Sequence, residues 1–422
     1  MKTIDELLRT TVEMGGSDLH IKVGSPPLVR VRGELTPLEM EPLTSVQSKE
    51  LSYADLTKTQ RARFEEDMEL DFAYALPGVA RFRGNLFQQR GHVQSVFRVI
   101  PLHVQSMEEL RLPPICTAFV NQPRGLVLVT GPAGSGKSTT LAAMIGYING
   151  HCPLHIMTIE DPIEFVHTDQ KALINQRELG RDTHSFAAAL KHVMRQDPDV
   201  IMVGEMRDLE TIALAITAAE TGHLVFATLH TTDAVQTIDR VIDVFPPHQQ
   251  QQIRMQLSVN LVGVVSQTLV KTKDGEGRMA AFETLAGIAS IRSMIRESKT
   301  HQITSLLQTG MKHGMMTLDQ SLAGLVKKGL VDYESALARA QDVAEFKMQC
   351  GGGDPAAAAP APEGQMPGFH DVSGPASKDV PPRPDPSYKG PPPPAPRPPT
   401  PTPPTPHRGL FGIKRPCSSP PQ

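Results

Sequence analysis

GLVLVTGPAGSGKSTTL, running from Gly125 to Leu141, changes character twice within its length. It opens on a short apolar run, LVLVT, which reads as a buried strand. Its middle, Gly131-Pro-Ala-Gly-Ser-Gly-Lys137-Ser138, matches GxxxxGK[ST]. Its end leads into KSTTLAAMIGYING, which reads as a helix. Strand, glycine-rich loop and helix in that order form a phosphate cradle. Glycines let backbone N–H groups converge on an anion without Cβ clashes, and the helix N-terminus adds a favourable dipole. In such a loop Lys137 reaches the β- and γ-phosphates of a nucleotide, and the Ser138 hydroxyl ligates Mg²⁺. The expected cofactors are ATP and Mg²⁺. The expected binding residues are Gly131, Pro132, Ala133, Gly134, Ser135, Gly136, Lys137, Ser138 and Thr139.

Working outward from this loop, the pattern alternates. HIMTIED, DVIMVGE and HLVFATLHT read as strands, and SFAAALKHVMRQ and LETIALAITAAETG as the helices between them. Strands alternating with helices predict an α/β fold with a mostly parallel sheet. Helices are expected to dominate from there to about residue 350. Upstream, residues 1–105 combine a helix, TIDELLRTTVEMG, with short strands (SDLHIKV, PLVRVRGEL, ARFRGNLFQ, HVQSVFRVI) and read as an α+β domain. Residues 106–121 read as a linker and 122–350 as the nucleotide-binding domain. Residues 351–422 hold most of the chain's 38 prolines and lack apolar periodicity, so a disordered, proline-rich tail is expected there. This tail is either a spacer or, through HRGLFGIKRP at its end, a docking peptide for a partner.

A phosphate loop needs acids that orient Mg²⁺ and water. DVIMVGE ends on Glu205, which takes that role, and Glu205 joins Ser138 as an expected metal ligand. A second acidic group, Glu160, Asp161 and Glu164, follows the strand HIMTIE. Its residues either cap a helix or lie at the strand edge where α/β sheets bind ligands. Transfer of a γ-phosphate also needs a cation against its developing charge. Arg81, Arg83, Arg90 and Arg98 crowd the end of the N-terminal domain, and Arg195, Arg207 and Arg240 lie further along.

The bulk numbers exclude other classes. Net charge is −3, and basic–aromatic stripes are missing, so no nucleic-acid partner is expected. No apolar run reaches the roughly 18 residues of a membrane span, and Asp5 and Glu6 stand where an export signal needs an apolar core. The four cysteines form no CxxC pair, which argues against a zinc ribbon or a redox motif and suits a reducing cytoplasm.

Five long motifs carry a resemblance: GGSDLHI (15–21), GPAGSGKST (131–139), TIEDPIEFVH (158–167), RQDPDVIMVGEMRD (195–208) and TGHLVFATLHT (221–231). IDRVIDVFP (238–246), HQITSLLQTG and GMMTLDQSL extend it. Over about residues 1–347 the chain resembles the PilT-type twitching-motility ATPases of the type II/IV secretion ATPase superfamily. The resemblance implies an N-terminal PAS-like domain, a RecA-like ATPase domain and a hexameric ring. It further implies an ATP-hydrolysing motor that powers type IV pilus retraction at the inner face of the cytoplasmic membrane, against a platform protein of the pilus machine. It implies Glu164 as general base, Glu205 at Mg²⁺ and water, His223 and His230 as sensors of nucleotide state, and Arg83, Arg98 and, more weakly, Arg278 as phosphate contacts. Gly84 stands where the family usually has a larger residue. SIRSMIRE (290–297) stands in place of the AIRNLIRE of retraction members. Pilus extension, type II secretion and RecA-like nucleic-acid translocation are the alternatives.

The two histidines bracket the apolar run LVFATL. Metal binding fails for want of third and fourth ligands at a usable spacing. A regular strand holds the two about 20 Å apart at roughly 3.3 Å per residue. His230 is then expected at the C-terminal edge beside the γ-phosphate, and His223 at the far end.

Overall fold

Thr3 opens the first helix, Ile4–Glu13, through a capping box: its hydroxyl accepts the Glu6 N–H, and the Glu6 carboxylate accepts the Thr3 N–H. The structure, a computed structural model, describes residues 2–54, 56–100, 104–275 and 277–351. The expected tail lies outside these residues from 352 onward.

The N-terminal sheet is antiparallel and six-stranded: β1 (Gly16–Ile21), β2 (Leu28–Val31), β3 (Glu34–Pro37), β4 (Glu69–Leu76), β5 (Ala80–Gln89) and β6 (His92–Ile100), in the order β3-β2-β1-β6-β5-β4. PLVRVRGEL, read as a single strand, is a hairpin. Arg32 and Gly33 both have positive φ, as a tight two-residue turn requires. Along β5, Ala80, Phe82, Gly84 and Leu86 face the core, which leaves Arg81 and Arg83 on the other face. β4 and two helices, Ser45–Tyr53 and Lys58–Asp67, occupy stretches in which no element was expected. Their signal is faint because few of their side chains are buried; in the second helix Phe64 alone reaches the core.

The second sheet has seven strands: β7 (Gly125–Thr130), β8 (His155–Glu160), β9 (Leu173–Glu178), β10 (Val200–Val203), β11 (Leu224–Leu229), β12 (Leu261–Lys271) and β13 (Arg278–Ala286). Their order is β13-β12-β7-β11-β10-β8-β9, parallel throughout except between β12 and β13. Helices dominate beyond residue 231 as expected, but they are interrupted by two strands for which no element was expected: β12 and β13 form a hairpin there. Both are largely buried, so neither shows the alternation of a half-exposed strand. An apolar run of that kind is not separable from a buried helix by periodicity. Within the expected linker, Met107 and a short helix, Ile115–Val120, pack into the core of this second sheet.

One buried acid ties the C-terminal helices to this sheet. Glu283, on β13, is 4% exposed and accepts the Ala234 N–H at 2.7 Å, at the start of the helix that follows β11. Burial pushes its carboxyl from the ordinary 4.5 up to about 7. Between those values the folded protein holds a proton that the unfolded chain has lost, so stability falls as pH rises through this window. Glu283→Gln keeps the acceptor oxygen and removes the charge. In thermal melts it is expected to exceed the parent by a few degrees at pH 8 and to match it near pH 5 (about 2 kcal/mol at the higher pH). A variant that melts below its parent at pH 8 would contradict this.

Candidate active site

β7 delivers the glycine-rich loop to the C-terminal edge of the second sheet, between β12 and β11. Gly131 has φ 142°, and a Cβ there would lie 2.3 Å from the Gln267 carbonyl oxygen, so only glycine fits. Gly136, at φ 89°, precedes the helix Lys137–His151, so the loop enters the helix through a backbone conformation that side chains resist. Lys137 is 9% exposed, and its ammonium donates to the carbonyls of Gly131 (2.8 Å) and Pro132 (3.0 Å). Burial lowers its pKa, against the attraction of Glu205 and Glu164. Ser138 and Thr139 occupy the first turn of that helix.

A cleft of about 630 Å³ opens in front of the loop, with Ala133, Gly134, Lys137 and Ser138 on one wall. Glu160, Asp161, Glu164 and Glu205 line it from the ends of β8 and β10. The structure separates the first three acids. Glu160 is 8% exposed and accepts from Thr158 Oγ1 (2.6 Å) and Gln176 Nε2 (3.0 Å). Its pKa is raised by burial. Gln176 Nε2 also donates to the Phe165 carbonyl at 2.8 Å, so Gln176 ties Glu160 to the segment that carries Glu164, while Glu164 borders the cleft. Glu205 is held from two sides, by Arg207 (2.7 Å) and by His230 Nε2 (2.9 Å). The hydrogen bond from Arg207 lowers its pKa most; burial opposes, and His230 adds to the lowering.

The opposite wall comes from the N-terminal sheet. Arg83 on β5 and Arg98 on β6 are directly paired across the strands, and both line the cleft. Like charges facing each other in a sheet are destabilising. Here each is offset by an acid, Asp71 at 3.6 Å from Arg83 and Asp18 at 2.9 Å from Arg98. Two cations in register suit a ligand with several negative charges. Gly84 beside Arg83 has a packing reason: a Cβ there would meet the Phe72 ring at 2.4 Å. Arg81 points elsewhere, pairing with Glu178 of β9 at 2.7 Å in a largely buried contact, and Glu178 also accepts the Ile163 N–H. This ion pair fastens the N-terminal sheet to the segment that bears Glu164.

His230 emerges from β11 into the cleft, its Nδ1 3.5 Å from Lys137 Nζ. His223 does not join it. It precedes the same strand at the opposite edge, where its Nδ1 and its backbone N–H both meet the Ala218 carbonyl. This is the separation expected from the length of the strand, which keeps its two ends on opposite edges of the sheet, and it leaves His223 away from the acids with which the resemblance groups it. Arg278 also stands apart, in a second pocket on the outer side of the loop beside Arg339. Sequence reasoning undervalued Arg207, Asp18, Asp71 and His167, all of which line the cleft or pair with its arginines. For Arg207 a signal existed, its place two residues after Glu205. Asp18 and Asp71 had none, because their partners are distant in the chain.

The donor set suits Mg²⁺. Among the described residues no group of three or more His, Cys, Asp or Glu side chains forms a metal cage. Mg²⁺ needs none, since it binds through one or two protein oxygens, waters and substrate phosphates, and Ser138 and Glu205 supply such oxygens on the walls of one cleft. The loop also carries a buried hydroxyl, Ser135 Oγ, without a hydrogen-bond partner.

The family described as type II/IV secretion system protein matches residues 92–310. PilT of Pseudomonas aeruginosa, named as a type IV pilus retractation ATPase, is 54% identical over 338 residues, covering 80% of this chain and 98% of that protein. A twitching motility protein of Neisseria gonorrhoeae is 51% identical, covering 81% of this chain and 91% of its own length. Among solved structures, the pilus retraction motor PilT with bound ADP superimposes with a TM-score of 0.78 at 44% identity, over 82% of this chain and all of that one.

Proposed function

Since the chain belongs to the type II/IV secretion system protein family, we propose that it is an ATP-hydrolysing motor that drives type IV pilus retraction. The observation that carries this reading is the cleft itself. Its phosphate loop and acids come from one sheet and its in-register arginine pair from another, so each turnover is coupled to how the two sheets approach.

The chemistry follows from the side chains. Loop N–H groups and Lys137 hold the β- and γ-phosphates of ATP. Ser138 and Glu205 would hold Mg²⁺, which would neutralise charge on the phosphate oxygens. Glu205, kept ionised by Arg207, orients water. Glu164 has no ion-pair partner among the described contacts and borders the cleft, and it takes the proton of the attacking water. Arg83 and Arg98 meet the charge that builds on the γ-phosphate, as arginine fingers do. His230 bridges Lys137 and Glu205 and so registers what lies between them.

Partners extend the same reading: a homo-hexamer acting in the cytoplasm on an inner-membrane platform protein of the pilus machine. Among the described residues no helix is long and apolar enough to cross a membrane. In the helix Ala289–Arg296, the residues shared with retraction members are the anchoring ones. Ile291 and Ile295 are buried, and Arg292 donates to the Gly287 carbonyl at 2.6 Å. Of the three changed positions, Ser290 is exposed and Ser293 half-buried, and Met294 is partly buried against the core with one large apolar side chain in place of another.

Deletion in the native host tests the direction. Excess surface pili without twitching are expected. Bald cells would reassign the motor to extension, and strong stimulation of turnover by DNA would reassign it to nucleic-acid translocation.

A further inference from the structure

Gln267 lies on β12, a strand the sequence did not reveal, and it is 3% exposed. Its amide makes no bond to its own sheet neighbours in the hydrogen bonds observed. Both ends reach into the phosphate-loop segment: Nε2 donates to the Ser135 carbonyl at 2.6 Å, and Oε1 accepts the Thr140 hydroxyl at 2.8 Å. Its backbone carbonyl fills the space a Cβ on Gly131 would need, at 2.3 Å, and its amide nitrogen stands 3.1 Å from a Cβ on Gly136. The same residue therefore meets the loop at its first glycine, near its last, and on the helix that follows.

We propose that Gln267 is the positioning residue of the phosphate loop, setting the direction in which the loop presents its donors; this rests on the ATPase reading above. In a trans peptide the C=O and the following N–H point opposite ways. Drawing the Ser135 carbonyl toward β12 turns the Gly136 N–H away from it, as a donor offered to phosphate must be. The Ser135 carbonyl can only accept, and the Thr140 hydroxyl donates, so the brace needs both a donor and an acceptor on one side chain. Of the long side chains, glutamine supplies both without charge. Next to it, Ser266 Oγ bonds Thr130 Oγ1 at 2.8 Å, fixing the end of β7 just before Gly131.

The test uses the full chain, with steady-state ATP turnover, binding of fluorescently labelled ADP, and thermal melting measured on each variant. Gln267→Met keeps the volume and removes both hydrogen bonds. The KM for ATP and the Kd for labelled ADP are expected to rise about tenfold, with kcat changed less than about threefold. Gln267→Glu keeps the acceptor for Thr140 but cannot donate to Ser135, and it adds negative charge beside the phosphates, so its loss of affinity is expected to be larger. Thr140→Ser, which retains the hydroxyl, is expected to match the parent. If Gln267→Met melts lower yet binds ADP and turns over ATP within about twofold of the parent, Gln267 is only core packing and the proposal falls. Should the methionine variant fail to fold, the near-isosteric Gln267→Glu decides on the same criterion. A parent that binds ADP without hydrolysing ATP would overturn the proposed function and leave the ADP arm to judge the brace.

Discussion

Lys137→Ala is expected to reduce ATP turnover by about a thousandfold or more in a protein that still folds. Lys137 is the buried cation at the floor of the cleft, 3.5 Å from His230 and attracted by both Glu205 and Glu164. Alanine removes the ammonium proposed to hold the β- and γ-phosphates and leaves the two acids without it. The loop loses two hydrogen bonds, to Gly131 and Pro132, each of them a net contribution of about 1 kcal/mol. That is small beside the binding and transition-state terms, so far-UV circular dichroism should be parental while labelled-ADP affinity drops. Turnover within about tenfold of the parent would remove Lys137 from the phosphate site.

Glu205→Gln is expected to separate binding from hydrolysis. The amide keeps the volume and one acceptor oxygen but gives up the charge that Arg207 and His230 now share. Without it the site loses the carboxylate proposed to hold Mg²⁺ and orient water. Turnover should fall by about a hundredfold or more while nucleotide affinity stays within about threefold. Arg207 then faces the substrate unneutralised, which favours retention of ATP. A single-turnover measurement with excess protein checks this, because slow chemistry with normal binding is the predicted pattern. Equal losses in affinity and rate would point to a structural role for Glu205.

Much of this site was readable from the chain alone, and the reason is local. The phosphate loop is one contiguous segment whose conformation is set by its own glycines and by the helix that begins at Lys137. Glu205 follows its strand directly, and parallel strands alternating with helices bring such strand ends to one edge. His230 was placed at that edge by counting along β11, and it lies there. The hairpin of β12 and β13 escaped because two largely buried strands carry no alternation. Gln267 escaped with it, since its partners Ser135 and Thr140 are far away in sequence.

The sequence by itself determined the phosphate loop, the place of Glu205 at a strand end and the strand–helix alternation of the second sheet, because each depends on residues close together in the chain. Only the tertiary structure decided the rest. It set Arg83 and Arg98 side by side against the loop and turned Arg81 aside to Glu178. It divided Glu160 from Glu164 by burial. Those outcomes depend on strand register, on sheet order and on which carboxylate is shielded from water, and these are fixed only when segments distant in the chain pack together.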